Sequence, residues 1–296
     1  MSELFEQRRD RLAAGFAPLP DKPEETPEST LRALWYTAAG EARSAEAALL
    51  GELPALDLAQ LVELDALIER RLGGTPLAHL TGRQHFLDME LLAGPAALVP
   101  RKETELLGLA AIDLARDAQL RDDAPIVVDV CTGCGNIALA VARHVTGARV
   151  FGADLSDAAI SLARKNAVRL GLERRVEFLV GDLLAPFESE EFLGRVDLLT
   201  CNPPYISSAK VAQMAAETAE HEPRLAFDGG PLGVTILMRL LQEAPRFLRE
   251  DGWLAFEVGL GQGPALARRL KAVDSYREVL ERTDDNGAVR AILARR

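Results

Sequence analysis

At 296 residues, 48% of them hydrophobic and 27% charged, the chain is long enough for one large domain or two smaller ones with an ample core. A net charge of −11 weighs against a main task of gripping a nucleic-acid backbone, which demands a basic footprint, so no direct nucleic-acid binding is expected. No apolar run reaches the length of a membrane span and the amino terminus lacks the apolar segment of a signal peptide, so the expected setting is cytoplasmic, with the cysteines reduced.

Residues 1–28 are expected to be an extension: a short amphipathic helix over 1–17, then a stretch over 18–27 rich in proline and acid that acts as a tether. Residues 29–78 are predicted to form a small helical domain. Leu31, Leu34 and Trp35, then Leu61, Leu64, Leu67, Ile68 and Leu72 recur at three and four, and Gly73-Gly74 ends the pattern. Residues 79–101 carry Phe86, Met89, Leu91 and Leu92 between turn residues, which predicts a β-hairpin linking two domains. The catalytic part is expected over 102–296, opening with a helix over 102–116. After Pro125 the texture changes to alternation. Strands are predicted at 126–130, 149–153, 176–180, 196–201 and 253–258, and helices at 137–145, 156–170 (capped by Ser156) and 232–248. Two apolar segments, 279–282 and 289–293, close the chain. Strands alternating with helices argue for a parallel, doubly wound sheet. Trp35 and Trp253 are expected in the core, and Arg290, Arg295 and Arg296 on a solvated carboxy end.

Two loops carry the chemistry. The first strand runs into Cys131-Thr132-Gly133-Cys134-Gly135 and then a helix, and such a glycine turn lets a ligand approach the backbone at the switch point of the sheet. Asp154 follows Gly135 by 19 residues at the end of the second strand, where a carboxylate can accept from both ribose hydroxyls of an adenosine cofactor. Asp182, after the third strand, can take the adenine amine while Leu183 packs on the ring. A nicotinamide cofactor competes for this reading, but it usually wants a third glycine and a helix N-terminus facing its pyrophosphate. Cys131 and Cys134 also form a C-x-x-C, for which redox or metal chemistry is the alternative to lining the loop. No second cysteine pair exists and the histidines are scattered, so no metal is expected.

The second loop is Asn202-Pro203-Pro204-Tyr205, directly after the apolar run over 196–201. Two prolines stop the strand, because each lacks an N–H and fixes φ. The rigid corner suits the grip of a planar –NH2 group. The Asn202 side-chain oxygen can accept one hydrogen, the Pro203 carbonyl the other, and Tyr205 can lie on the face. Taken alone, the tetrapeptide also fits a turn with a buried, capped asparagine.

Loop and corner together resemble the protein-glutamine methyltransferases that modify translation release factors, and their siblings acting on a ribosomal protein. The similarity runs from about Leu31 to the end. It includes Gly74-Thr75-Pro76-Leu77-Ala78-His79-Leu80-Thr81-Gly82, the segment Val99-Pro100-Arg101-Lys102-Glu103-Thr104-Glu105, His221-Glu222-Pro223 with Gly229-Gly230, and Phe256-Glu257-Val258-Gly259 with Gln262. Lys102 stands where the family has a proline, and Cys131 matches the ribosomal branch rather than the release-factor branch. The resemblance implies a Rossmann-like class I methyltransferase sheet behind a small N-terminal helical domain that recognises the substrate. It implies that Cys131, Thr132, Gly133, Cys134, Gly135 and Asp154 hold S-adenosylmethionine, with Leu183 beside the adenine and Asn202 bordering both ligands. Asn202, Pro203, Pro204 and Tyr205 would then bind the substrate glutamine, with Asn202, Pro203 and Tyr205 catalytic. The expected partner is a release factor, modified at its GGQ glutamine, or a ribosomal protein. A small-molecule or peptide amine, a flipped nucleic-acid base and a non-catalytic binding module remain the alternatives.

Overall fold

The computed structural model describes residues 2–15, 19–121 and 124–296. The chain divides into two compact units, Met1–Lys102 with Met214–Glu222, and Glu103–Gln213 with Pro223–Arg296.

The first unit contains helices α1 (Ser2–Gly15), α2 (Pro27–Ala38), α3 (Ala45–Ala48), α4 (Leu58–Leu72) and α5 (Leu77–Thr81), then an antiparallel hairpin of β1 (Arg83–Phe86) and β2 (Met89–Leu92). Two capping boxes start its main helices. The Thr26 hydroxyl accepts from the Ser29 N–H while Ser29 Oγ accepts from the Thr26 N–H, and Asp57 and Gln60 do the same for α4. Leu12, Leu31, Leu34, Leu64 and Ile68 fill the core with Trp35, whose indole donates to the Pro54 carbonyl at 2.8 Å. The end of the expected first helix, residues 16–17, and Pro18 lie outside the described residues.

The acidic, proline-rich stretch is not a tether. Lys22 is 2% exposed and Glu25 4%. Lys22 Nζ lies 2.7 Å from Glu217, and Arg71 bridges Glu217 and Glu25 at 2.7 Å each. Arg101 in turn holds Asp21 at 2.9 Å and Glu222 at 2.6 Å, and Glu222 also accepts from the Val99 N–H. Buried charges persist only where they are paired. The stretch therefore folds against the segment Met214–Glu222, which its composition alone does not reveal.

The second unit runs in chain order through a 3₁₀ turn (Lys102–Thr104), α6 (Glu105–Gln119), β3 (Ile126–Val130), α7 (Asn136–His144), β4 (Arg149–Asp154), α8 (Asp157–Leu170), β5 (Val176–Val180), β6 (Val196–Cys201) and α9 (Ser208–Val211). After α10 (Ala216–His221), which belongs to the first unit, come α11 (Thr235–Phe247), β7 (Leu248–Glu257), α12 (Gly263–Lys271), β8 (Glu278–Thr283) and β9 (Val289–Arg295). The seven strands order as β5-β4-β3-β6-β7-β9-β8. From β5 to β7 all pairs are parallel, as the alternation predicts, but β9 is antiparallel to both its neighbours. The turn from β8 to β9 is too short for a crossover, so the closing segments can only form a hairpin. Val128, Leu199, Leu254, Phe256 and Ile292 share one face of this sheet and belong to one core, and Trp253 is buried on β7.

The order reverses at β3. The chain first walks outward through β4 and β5, then returns to lay β6 on the other side of β3, with Val130 opposite Cys201. The loops that follow these two residues therefore leave the sheet side by side, and a crevice opens between them.

Candidate active site

The loop after β3 is held in shape from below. Asp129 is fully buried and accepts from the Thr132 hydroxyl at 2.5 Å and the Thr200 hydroxyl at 2.7 Å. Burial pushes its pKa up to about 6, although both hydroxyls favour the ionised form. Cys131, Gly133 and Gly135 all take left-handed backbone conformations, with φ of 55°, 55° and 86°. Gly135 is required for a second reason, since a Cβ there would lie 2.9 Å from Phe178 and 3.2 Å from Ala163. That close packing seats α7 on the sheet.

Asp154 ends β4 and faces this loop. One oxygen accepts from the Gly133 N–H and the other from the Ser156 N–H, both at 2.9 Å. Burial raises its pKa against the pull of those backbone donors. Asp182 is turned to the surface and takes a two-pronged bond from Arg239 of α11, at 2.9 and 3.2 Å. Leu183 is buried in the sheet's core at φ 49°. Cys134 is buried and its thiol is pushed up to about 12, and burial likewise raises Cys201, so neither is a thiolate at neutral pH.

The corner after β6 is braced on every side. The Gln262 side chain donates to the Tyr205 carbonyl at 3.1 Å and accepts from the Gly259 N–H. Ile206 exchanges backbone bonds with Phe227 and Gly229 at 2.9 and 2.8 Å. The strap carrying Gly229, Gly230 and Gly233 presses so close that a Cβ on Gly229 would sit 2.5 Å from the Pro204 carbonyl oxygen. Gly233, at φ 70°, lies equally close to Tyr205. Gly229, quoted above only within a family segment, and Gly233 are the clamp on the tetrapeptide.

Within the corner, Asn202 is half-buried and its Nδ2 donates to Thr104 Oγ1 at 3.3 Å. Among the described residues no donor is bonded to Asn202 Oδ1 or to the Pro203 carbonyl. Tyr205 Oη donates to Glu257 Oε1 at 3.0 Å, and burial beside Glu257 and Glu103 keeps the phenol protonated. Arg290, expected on a solvated end, is 7% exposed and bonds Glu103 at 3.0 Å. It sits in β9, two strands from the corner, inside the run Val289-Arg290-Ala291-Ile292-Leu293. That interruption of an apolar strand is the signal that identifies it. Thr104, Glu257 and Arg290 thus join the predicted residues. Only the sheet order brings them there.

A family model described as a methyltransferase domain matches residues 121–276. The release factor glutamine methyltransferase of Moorella thermoacetica is 39% identical over 229 residues, 77% of this chain and 78% of that protein. The protein of the same name from Gloeobacter violaceus is 40% identical over 72% of each. Among solved structures, the hMettl16 catalytic domain in complex with MAT2A 3'UTR hairpin 6 has a TM-score of 0.53 and 15% identity, covering 69% of this chain and 74% of that one, a likeness of fold alone. With such identity across three-quarters of its length, and with the loop and corner where the sheet reverses, the chain belongs to the release factor glutamine methyltransferase family.

Proposed function

We propose that this chain methylates the side-chain amide nitrogen of the GGQ glutamine of a translation release factor, in the cytoplasm, with S-adenosylmethionine as methyl donor. The observation that carries the reading is the pair of unengaged acceptors, Asn202 Oδ1 and the Pro203 carbonyl, at the mouth of a methyltransferase sheet. A primary amide offers two N–H hydrogens, and two fixed acceptors match them.

The residues present suit the donor. Each Asp154 oxygen spends one acceptor site on a backbone N–H and keeps capacity for a ribose hydroxyl. The left-handed turns at Cys131, Gly133 and Gly135 bring backbone to the ligand face, and Asp182 retains lone pairs beyond its bond to Arg239. When bound, the cofactor supplies an electrophilic methyl group. An amide nitrogen is a weak nucleophile because its lone pair is delocalised, so the protein contributes chiefly orientation and a dry, preorganised setting. Asn202 and Pro203 would hold the –NH2 plane and Tyr205 would cover its face, while the carbon–nitrogen bond would form as the donor's sulfur–methyl bond breaks, leaving S-adenosylhomocysteine, with one N–H proton lost to water.

The experiment is a competition. Labelled S-adenosylmethionine is incubated with purified release factor, ribosomal protein and a cell extract, and the labelled products are identified. Label on the release factor supports the proposal. Label confined to a ribosomal protein or to a small molecule overturns it.

A further inference from the structure

Tyr205 is tied to the end of β7 at three points. Its hydroxyl donates to Glu257 Oε1 at 3.0 Å, and its carbonyl accepts from the Gln262 side chain at 3.1 Å. Its ring lies so near Gly259 that a Cβ there would come 3.0 Å from Cδ2. The register explains the meeting. Cys201 at the end of β6 pairs with Phe256, which sets Glu257 and the loop behind it beside the corner. Glu257 is 1% exposed, and its Oε2 is buried with no hydrogen-bond partner among the described residues. A buried carboxyl with one oxygen unpaired is costly to keep. An apolar pair of the same size would fill the space of Tyr205 and Glu257 without that cost, which points to a task that needs the polar pair.

Torsion geometry supplies that task. Pro203, Pro204 and the Gln262 bond fix the main chain of the corner, but the direction of the Tyr205 ring depends on two side-chain torsions. The hydroxyl oxygen lies on the ring axis. Its bond to Glu257 therefore fixes where that axis points, which is χ1. Gly259, against Cδ2, limits rotation about the axis, which is χ2. Tyr205 stays only half-buried, so part of the placed residue remains open to solvent. We propose that Glu257 is a positioning residue, which through the Tyr205 hydroxyl holds the ring where the substrate amide is to lie on it. The role rests on the acceptor-site reading above and adds to it the residue that aims the ring.

The test is a double-mutant cycle on the full chain with S-adenosylmethionine and release factor. Tyr205→Phe removes the hydroxyl and Glu257→Leu removes its acceptor. Each is expected to lower kcat roughly tenfold, while the S-adenosylmethionine Kd stays within about threefold of the wild type. Both substitutions break the same bond, so the double variant should lose no more than about tenfold. Glu257→Gln, whose side-chain oxygen still accepts, should recover kcat to within about threefold of the wild type. Losses that multiply to about 100-fold in the double variant, wild-type kcat in Glu257→Leu, or no recovery in Glu257→Gln overturn the proposal.

A measurement independent of turnover separates this role from the substrate reading. The chain has three tyrosines, so Tyr205→Phe assigns the Tyr205 hydroxyl proton in NMR spectra of the cofactor complex. That proton should exchange slowly with water in the wild type and in Glu257→Gln, and should be lost to fast exchange in Glu257→Leu. Equal protection in all three proteins overturns the positioning role even if release factor proves the wrong substrate. A wild type that protects the proton but transfers no methyl group to release factor overturns only the substrate.

Discussion

On the proposed function Asn202 is the residue on which the chemistry turns, with one end anchored on Thr104 and the other unengaged. Asn202→Ala should bind S-adenosylmethionine as the wild type does, with calorimetry as the check, while kcat falls by at least roughly 100-fold, the scale of losing one preorganised polar contact. Asp154 is proposed to hold the other ligand. Asp154→Ala leaves the N–H groups of Gly133 and Ser156 without their acceptor. Its cofactor Kd should rise by more than about tenfold, whereas a variant that bound with wild-type affinity would remove Asp154 from the site. The four residues of the corner are legible in sequence because they are neighbours in the chain. Their supports are not. Tyr205 meets Glu257 52 residues on, Asn202 meets Thr104 98 residues back, and Arg290 meets Glu103 across 187 residues. Only the order of strands determines such meetings, and no local spacing encodes them.

At the scale of elements, the reversal of the sheet at β3 places the two loops together, and the glycine strap after Phe227 fixes the second of them. Gly229→Ala puts a methyl group 2.5 Å from the Pro204 carbonyl, against backbone that has no other place to go. The expected result is a displaced corner: kcat down more than about tenfold with cofactor affinity kept, read by comparing turnover and calorimetry on one preparation. Strand and helix positions in the sheet follow from periodicity, and the cap at Ser156 is where the sequence puts it, with Ser156 Oγ accepting from Ala159 at 3.2 Å. The two closing segments, which the sequence left unpaired, form a hairpin, so β9 runs antiparallel to both its neighbours. One element-level expectation fails for a physical reason. The acidic stretch before α2 holds Lys22 and Glu25 in buried ion pairs, because the partners that neutralise them, Arg71 and Glu217, are remote in sequence.

At the scale of the whole molecule, two buried carboxyls contribute to how stability responds to pH. Asp129, at about 6, and Glu257, at about 7, both hold their protons more tightly when folded than when unfolded. The native state therefore binds more protons between about pH 4 and 7, and their contribution to stability falls as pH rises through that window and levels off above it. Each accounts for about 3 kcal/mol between the two limits. Glu257→Gln should gain on the wild type in denaturant midpoint at pH 8 relative to pH 5. The direct measurement is fragmentation mass spectrometry of release factor after incubation with the enzyme and S-adenosylmethionine. The account predicts a single added methyl on the side-chain nitrogen of the GGQ glutamine, absent with Asn202→Ala. A methyl group on any other residue, or an equal yield from Asn202→Ala, would contradict it.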